Sequence, residues 1–155
     1  MNLKGLIVRR LNDHLDEMES FVDGLPIEQL AQRPSPEKWS IAENILHIID
    51  AQDVYIEWVA RMLVEDKPRL DAYFIEDHTG NQYIAADLDR RLREFSEQRK
   101  NLIALLGAMT DKQWKHEGVH SDVKHFTIEK CMEGLMRHEE SHLYEMFNIF
   151  FGVKE

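Results

Sequence analysis

The chain has 155 residues, 43% of them hydrophobic and 31% charged, with a formal net charge of −10. This length and balance predict one soluble domain, 1–155, able to bury about 70% of its unfolded surface. The negative charge argues against a nucleic-acid partner and against an anionic membrane surface, because both need basic patches. No apolar run approaches the roughly 18 residues of a spanning helix, and the first residues lack a signal-peptide pattern. Cys131 stands alone, which rules out an internal disulfide and suits a reducing cytoplasm.

The first predicted helix covers 3–21, where Leu3, Leu6, Ile7, Leu11, Leu15, Met18 and Phe21 recur at helical spacing. Gly24 and Pro26 end it. A short helical turn is expected at 27–32, before Pro34 and Pro36 force extended chain. Ser40 and Glu43 then fit an S-x-x-E capping box, so a second helix should start at Ile41 and run to about 65. Ile41, Ile45, Ile48, Tyr55, Val59 and Met62 form its main stripe. His47, Ala51, Val54 and Trp58 lie on its flank, so two neighbours should pack on this helix.

Residues 66–82, with Pro68, His78 and Gly80, read as a long connection that crosses over a bundle. The third helix is expected over 84–109 through Leu88, Leu92, Phe95, Leu102, Leu106 and Met109, with Arg90, Arg91, Arg93, Glu94, Glu97, Arg99 and Lys100 on a solvated face. Thr110 caps a short turn that holds Trp114, and 118–126 reads as irregular. Thr127 is the expected N-cap of the fourth helix, which runs to about 151 and stops at Gly152. No stretch alternates as a strand would. The class is therefore all-α, and four long amphipathic helices argue for a four-helix bundle.

The chemistry concentrates in the fourth helix. His138 and His142 stand four apart on one face, within reach of one metal ion. They lie on the stripe Leu135, His138, His142, Met146, Ile149, which should face inward. Three metal readings compete. His138-Glu139-x-x-His142 satisfies the zinc-protease pattern with Glu139 as base, but only Glu145 remains as a downstream ligand and no edge strand is expected for a peptide. A di-iron bundle needs two E-x-x-H motifs on helices. Glu139 to His142 supplies one, and Glu117 to His120 falls in a loop. The third reading is a single ion held by His138, His142 and a histidine from a facing helix. His47 is the leading choice, since His14, near Asp13 and Asp16, can be simply exposed. Three imidazoles leave a position open to water or substrate, the mark of a catalytic site, and suit Zn, Ni, Fe or Cu.

Other residues carry weaker claims. Glu43 can orient His47, although the cap competes for its carboxylate. Asp50 is as readily solvated, Glu139 reads as a surface residue or one just outside the ligands, and Cys131 as a small core residue. Trp39, Trp58 and Trp114 line a pocket mouth or simply pack. His78, His116, His120 and His125 lie in loops.

Trp39-Ser40-x-x-Glu43-x-x-x-His47, followed near the C-terminus by His138-x-x-x-His142, resembles the DinB/YfiT-like superfamily of metal-dependent enzymes. Trp114, Gly118, His120 and Thr127 are placed like the middle run of one branch, so the resemblance spans nearly the whole chain. It implies an up-down-down-up bundle with 66–82 as the crossover between helices two and three. It also implies His47, His138 and His142 as a facial triad for one divalent ion, Ni or Zn ahead of Fe, and frequent homodimers. Related activities include thiol S-transfer and isomerisation with low-molecular-weight thiols, and His120 is expected near the site entrance. One departure stands out. The family often has glutamine three residues after the last ligand, where this chain has Glu145, an extra ligand or a hydrogen-bonding group behind one.

Three functions follow as expectations. The first is a cytoplasmic metal-dependent hydrolase or thiol S-transferase acting on a small-molecule substrate. The second is a non-catalytic, metal-stabilised bundle serving as a binding or dimerisation module. The third is a metal-free bundle that binds a small molecule in an apolar groove.

Overall fold

A computed structural model describes residues 1–71 and 87–153. Helix α1, Leu3–Gly24, starts after Asn2, whose side chain accepts the Gly5 N–H, and gives way to extended chain at Leu25. The short α2, Ile27–Ala31, precedes the proline-rich segment. Helix α3 spans Ile41–Val64 behind the Ser40–Glu43 capping box, as the sequence predicts. Helix α4 spans Leu88–Ala108, α5 Asp111–Trp114 behind a Thr110 cap, and α6 Ile128–Phe151 behind Thr127, with Gly152 left-handed at φ 65°. His78, Gly80, most of the expected crossover and the expected start of the third helix at 84 lie outside the described residues. No described helix is long and apolar enough to cross a membrane.

The protein is mostly helical. Its four long helices pack in pairs, α1 on α4 and α6, and α3 on α4 and α6, so the order around the bundle is α1, α6, α3, α4. The core has two apolar halves. One gathers Leu15, Met18, Ile45, Phe95, Leu143 and Met146. The other gathers Ile7, Leu11, Val59, Leu102, Met132 and Leu135. Along every long helix a polar residue falls between them: His14 on α1, Gln52 on α3, Arg99 on α4 and Glu139 on α6, all fully buried.

These four side chains bond to one another, while His14 Nε2 is buried without a hydrogen-bond partner among the described residues. Arg99 Nη2 donates to Glu139 Oε1, and its Nη1 donates to Glu139 Oε2 at 3.2 Å and to the Leu11 carbonyl at 2.6 Å. Its Nε donates to Gln52 Oε1 at 2.6 Å, while His14 Nδ1 donates to Glu139 Oε2 at 2.8 Å. Three sequence expectations are corrected here. Arg99 is not on the solvated face, Glu139 is not at the surface and His14 is not exposed. Arg99 follows Phe95 by four and precedes Leu102 by three, which is core spacing; a buried partner on another helix is what lets a charge occupy it.

A small ribbon corrects the strand-free expectation. β1, Arg69–Leu70, pairs in parallel with β2, Glu117–His120, which pairs antiparallel with β3, Phe126–Thr127. Strands of two to four residues are too short to show alternation, and β1 and β2 lie far apart in sequence. The ribbon closes against α3. A Cβ at Gly118 would lie 2.5 Å from Leu70 Cδ1 and 3.2 Å from Met62 Cγ, so any larger residue at this crossing must push those side chains aside.

Replacing Arg99 with alanine should cost about 3–5 kcal/mol in urea unfolding, because Glu139 is left charged and unpaired in the core. The Arg99→Met, Glu139→Leu double variant should recover only part of that loss, because His14, Gln52 and the Leu11 carbonyl lose their partners. Gly118→Ala should cost about 1–3 kcal/mol through overpacking against buried Leu70.

Candidate metal centre

The α3–α6 seam brings His47, His138 and His142 together. One ring nitrogen from each lies within 4.8 Å of the other two. Nε2 of His47 is 2.9 Å from Nε2 of His138, and the ring centroids of His47 and His142 are 4.5 Å apart. The capping box that starts α3 sets the position of His47, since Ser40 lies two helical turns before it. Glu43 N donates to Ser40 Oγ at 3.1 Å, and Ser40 N donates to Glu43 Oε2 at 2.7 Å.

Asn44 orients the third ring. Its Oδ1 accepts from His142 Nδ1 at 2.8 Å, so that nitrogen carries the hydrogen and Nε2 is left with its lone pair. Asn44 Nδ2 donates to the Ser40 carbonyl at 2.9 Å, which fixes the amide. The sequence reading missed Asn44. Its signal was a polar residue one turn before His47, within a helix start that is otherwise buried. Trp39 walls the cluster on one side, stacked on His142 at 5.9 Å and 14° and tilted toward His47 at 5.0 Å.

The donor set fits a divalent ion. Burial, countered only partly by Glu139, lowers the His138 pKa. Burial, with His138 adding to it, lowers that of His142 to about 4. Both rings are therefore neutral at pH 7, the form a metal requires. His138 Nδ1 is buried with no hydrogen-bond partner among the described residues, so no group there holds its ring as Asn44 holds that of His142.

The other candidates lie elsewhere. Glu43 is occupied by its cap and by Arg33, which donates from Nη2 at 2.7 Å, so it does not orient His47. Asp50 pairs with Arg91 of α4. Glu139 is turned into the core and bound to Arg99 and His14, which removes it as a general base. Glu117 and His120 lie on β2, so no second helical E-x-x-H exists, and His120 packs on Trp58 and Phe126 at 5.6 and 4.8 Å. Cys131 is fully buried in the core, and burial pushes its thiol pKa up. Glu145 is half-buried and does not join the histidine cluster.

The lowered histidine pKa values set a pH dependence. An unfolded histidine takes up its proton near pH 6.5, whereas folded His142 does so only near 4. Unfolding therefore binds protons as pH falls from 6.5 toward 4, and stability drops across that window. The Glu139 carboxyl is pushed up by burial but held below its usual range by Arg99 and His14. It extends the loss below the ordinary glutamate range. The melting temperature of chelator-treated protein should fall steadily below pH 6.5; a flat profile down to pH 5 would contradict the assignment.

A model of the DinB superfamily matches residues 10–146. The chain is 23% identical to YuaE of Bacillus subtilis (strain 168), a protein described as uncharacterized, in a 139-residue alignment that covers 81% of this chain and 86% of YuaE. Among solved structures it resembles YfiT from Bacillus subtilis, described as a probable metal-dependent hydrolase with an unusual four-helix bundle topology. That match has a TM-score of 0.77 and 21% identity, and covers 94% of this chain and 85% of YfiT. At that identity the likeness speaks for the fold, while the family match spans far more than half the sequence: the chain belongs to the DinB superfamily.

Proposed function

We propose that this chain, acting as one domain, is a metal-dependent hydrolase of small molecules whose single divalent ion is held by His47, His138 and His142. The observation that carries the reading is the convergence of three imidazole nitrogens within 4.8 Å on one helix seam. The description of YfiT as a probable metal-dependent hydrolase supports it. Nickel or zinc suits three imidazoles, with iron third. A divalent ion there supplies Lewis acidity, which makes a water, or a low-molecular-weight thiol used in its place, nucleophilic near neutral pH.

The protein's own contribution is preorganisation. Asn44 holds His142 with Nε2 presented. Burial keeps His138 and His142 neutral, and Trp39 shields one side of the cluster from water. The proposal also includes the up-down-down-up order of the bundle, with 66–82 crossing over between α3 and α4, a homodimeric assembly and a cytoplasmic location.

The deciding measurement is metal content by ICP-MS on untagged protein, followed by assay on an ester panel with and without thiols. The wild type should carry about one equivalent of a transition metal. His47→Ala and His142→Ala should lose it, and Asn44→Ala should weaken it by roughly 10–100-fold. No metal after reconstitution would sink the proposal. One equivalent of metal with no turnover would leave a metal-stabilised binding module.

A further inference from the structure

Away from the histidines, the α3–α6 seam opens into a groove of about 470 Å³, within the range of small-molecule sites. Its lining residues Gly134 and Arg137 precede His138 on α6. Gly134 lies one helical turn before His138 on the same face of α6, about 6 Å along the axis. Tyr55 lies two turns beyond His47 on α3, and a Cβ at Gly134 would sit 3.7 Å from its hydroxyl. His47 thus faces His138, and Tyr55 faces Gly134, so the two helices run antiparallel along the groove.

The groove has an aromatic wall. Trp58 lies 5.2 Å from Tyr55, 5.6 Å from His120 and 5.9 Å from Phe126, centroid to centroid. These rings hold one another in place, and Gly134 leaves the space in front of them. The charged residues on the lining balance: Lys130 and Arg137 against Asp122 and Glu133. Lys130 donates to the Lys124 carbonyl at 2.8 Å, and Arg137 stands 3.7 Å from Glu133. No net charge is left to attract an ion. Tyr55 supplies a directional group. Its hydroxyl makes no hydrogen bond among the described residues, and burial, with Cys131 and Glu139 adding to it, pushes its pKa up to about 12, so it stays a neutral donor.

We propose that this groove is the subsite for an uncharged aromatic portion of the substrate, which lies along Trp58 with its reacting group toward His138 and a polar substituent on the Tyr55 hydroxyl. As a substrate subsite it rests on the hydrolase reading. As a binding site it does not.

The test is calorimetric titration of 2-naphthol, neutral at pH 7, into chelator-treated protein. The wild type should bind it saturably. Gly134→Leu, which fills the groove with a better helix former, should weaken binding roughly tenfold or more by direct clash, with the wild-type melting temperature and metal stoichiometry retained. Tyr55→Phe should weaken it by about 2–10-fold, the loss of one neutral hydrogen bond. No saturable binding by the wild type, or equal affinity in a folded Gly134→Leu variant, overturns the inference. Should that variant fail to fold, unchanged affinity in Tyr55→Phe overturns it instead. A protein that binds 2-naphthol but hydrolyses no aromatic ester overturns the hydrolase reading alone, and an ester hydrolase indifferent to 2-naphthol overturns the groove alone.

Discussion

The structure depends on one buried ion pair. Arg99 and Glu139 meet at the middle of the bundle with no exposed surface, and the groups that complete them come from the other two long helices, Gln52 on α3 and His14 with the Leu11 carbonyl on α1. Apolar side chains alone would let the helices slide, since one leucine substitutes for another at small cost. A charge in the core has a single acceptable partner, and any slip leaves it unpaired. The layer that divides the two apolar clusters therefore sets the register of all four helices at once.

The candidate metal centre inherits its geometry from that layer. Successive residues on a helix point about 100° apart. With Glu139 turned inward onto Arg99, His138 and His142 are carried onto the face that meets α3. The same rotation explains why the literal H-E-x-x-H pattern does not describe a protease: its glutamate is directed at a guanidinium and a histidine in the core, away from the histidine cluster. The glutamate next to His138 serves the fold. The group that orients His142 is an amide on the other helix, Asn44.

Polar side chains here divide by whether they are fully answered within the protein. Arg99, Glu139 and Gln52 are, and they hold the bundle together. The three histidine nitrogens converge within 4.8 Å of one another with no carboxylate among them, and the Tyr55 hydroxyl has no acceptor among the described residues. Both of these features lie along the α3–α6 seam, on one helix pair.

Much of this was legible in the sequence, because the signals were local. The capping box at Ser40–Glu43, the caps at Thr110 and Thr127 and the stop at Gly152 each act within a turn or two of helix, and each stands as read, while the i, i+4 histidine pair falls on α6 beside His47. What the sequence did not disclose was pairing between distant residues. Arg99 looked like one more cation on a charged face, because the acid that buries it lies 40 positions away. His14 looked exposed because its acceptor is on α6. The ribbon around Gly118 was hidden because its partner strands are too short to show a period. Local backbone preference and side-chain spacing determined the helices, their caps and the residues able to bind a metal. Only the tertiary structure decided which charges are buried, which polar group steadies His142 and where the seam opens, because each of those is a contact between helices and has no repeat along the chain.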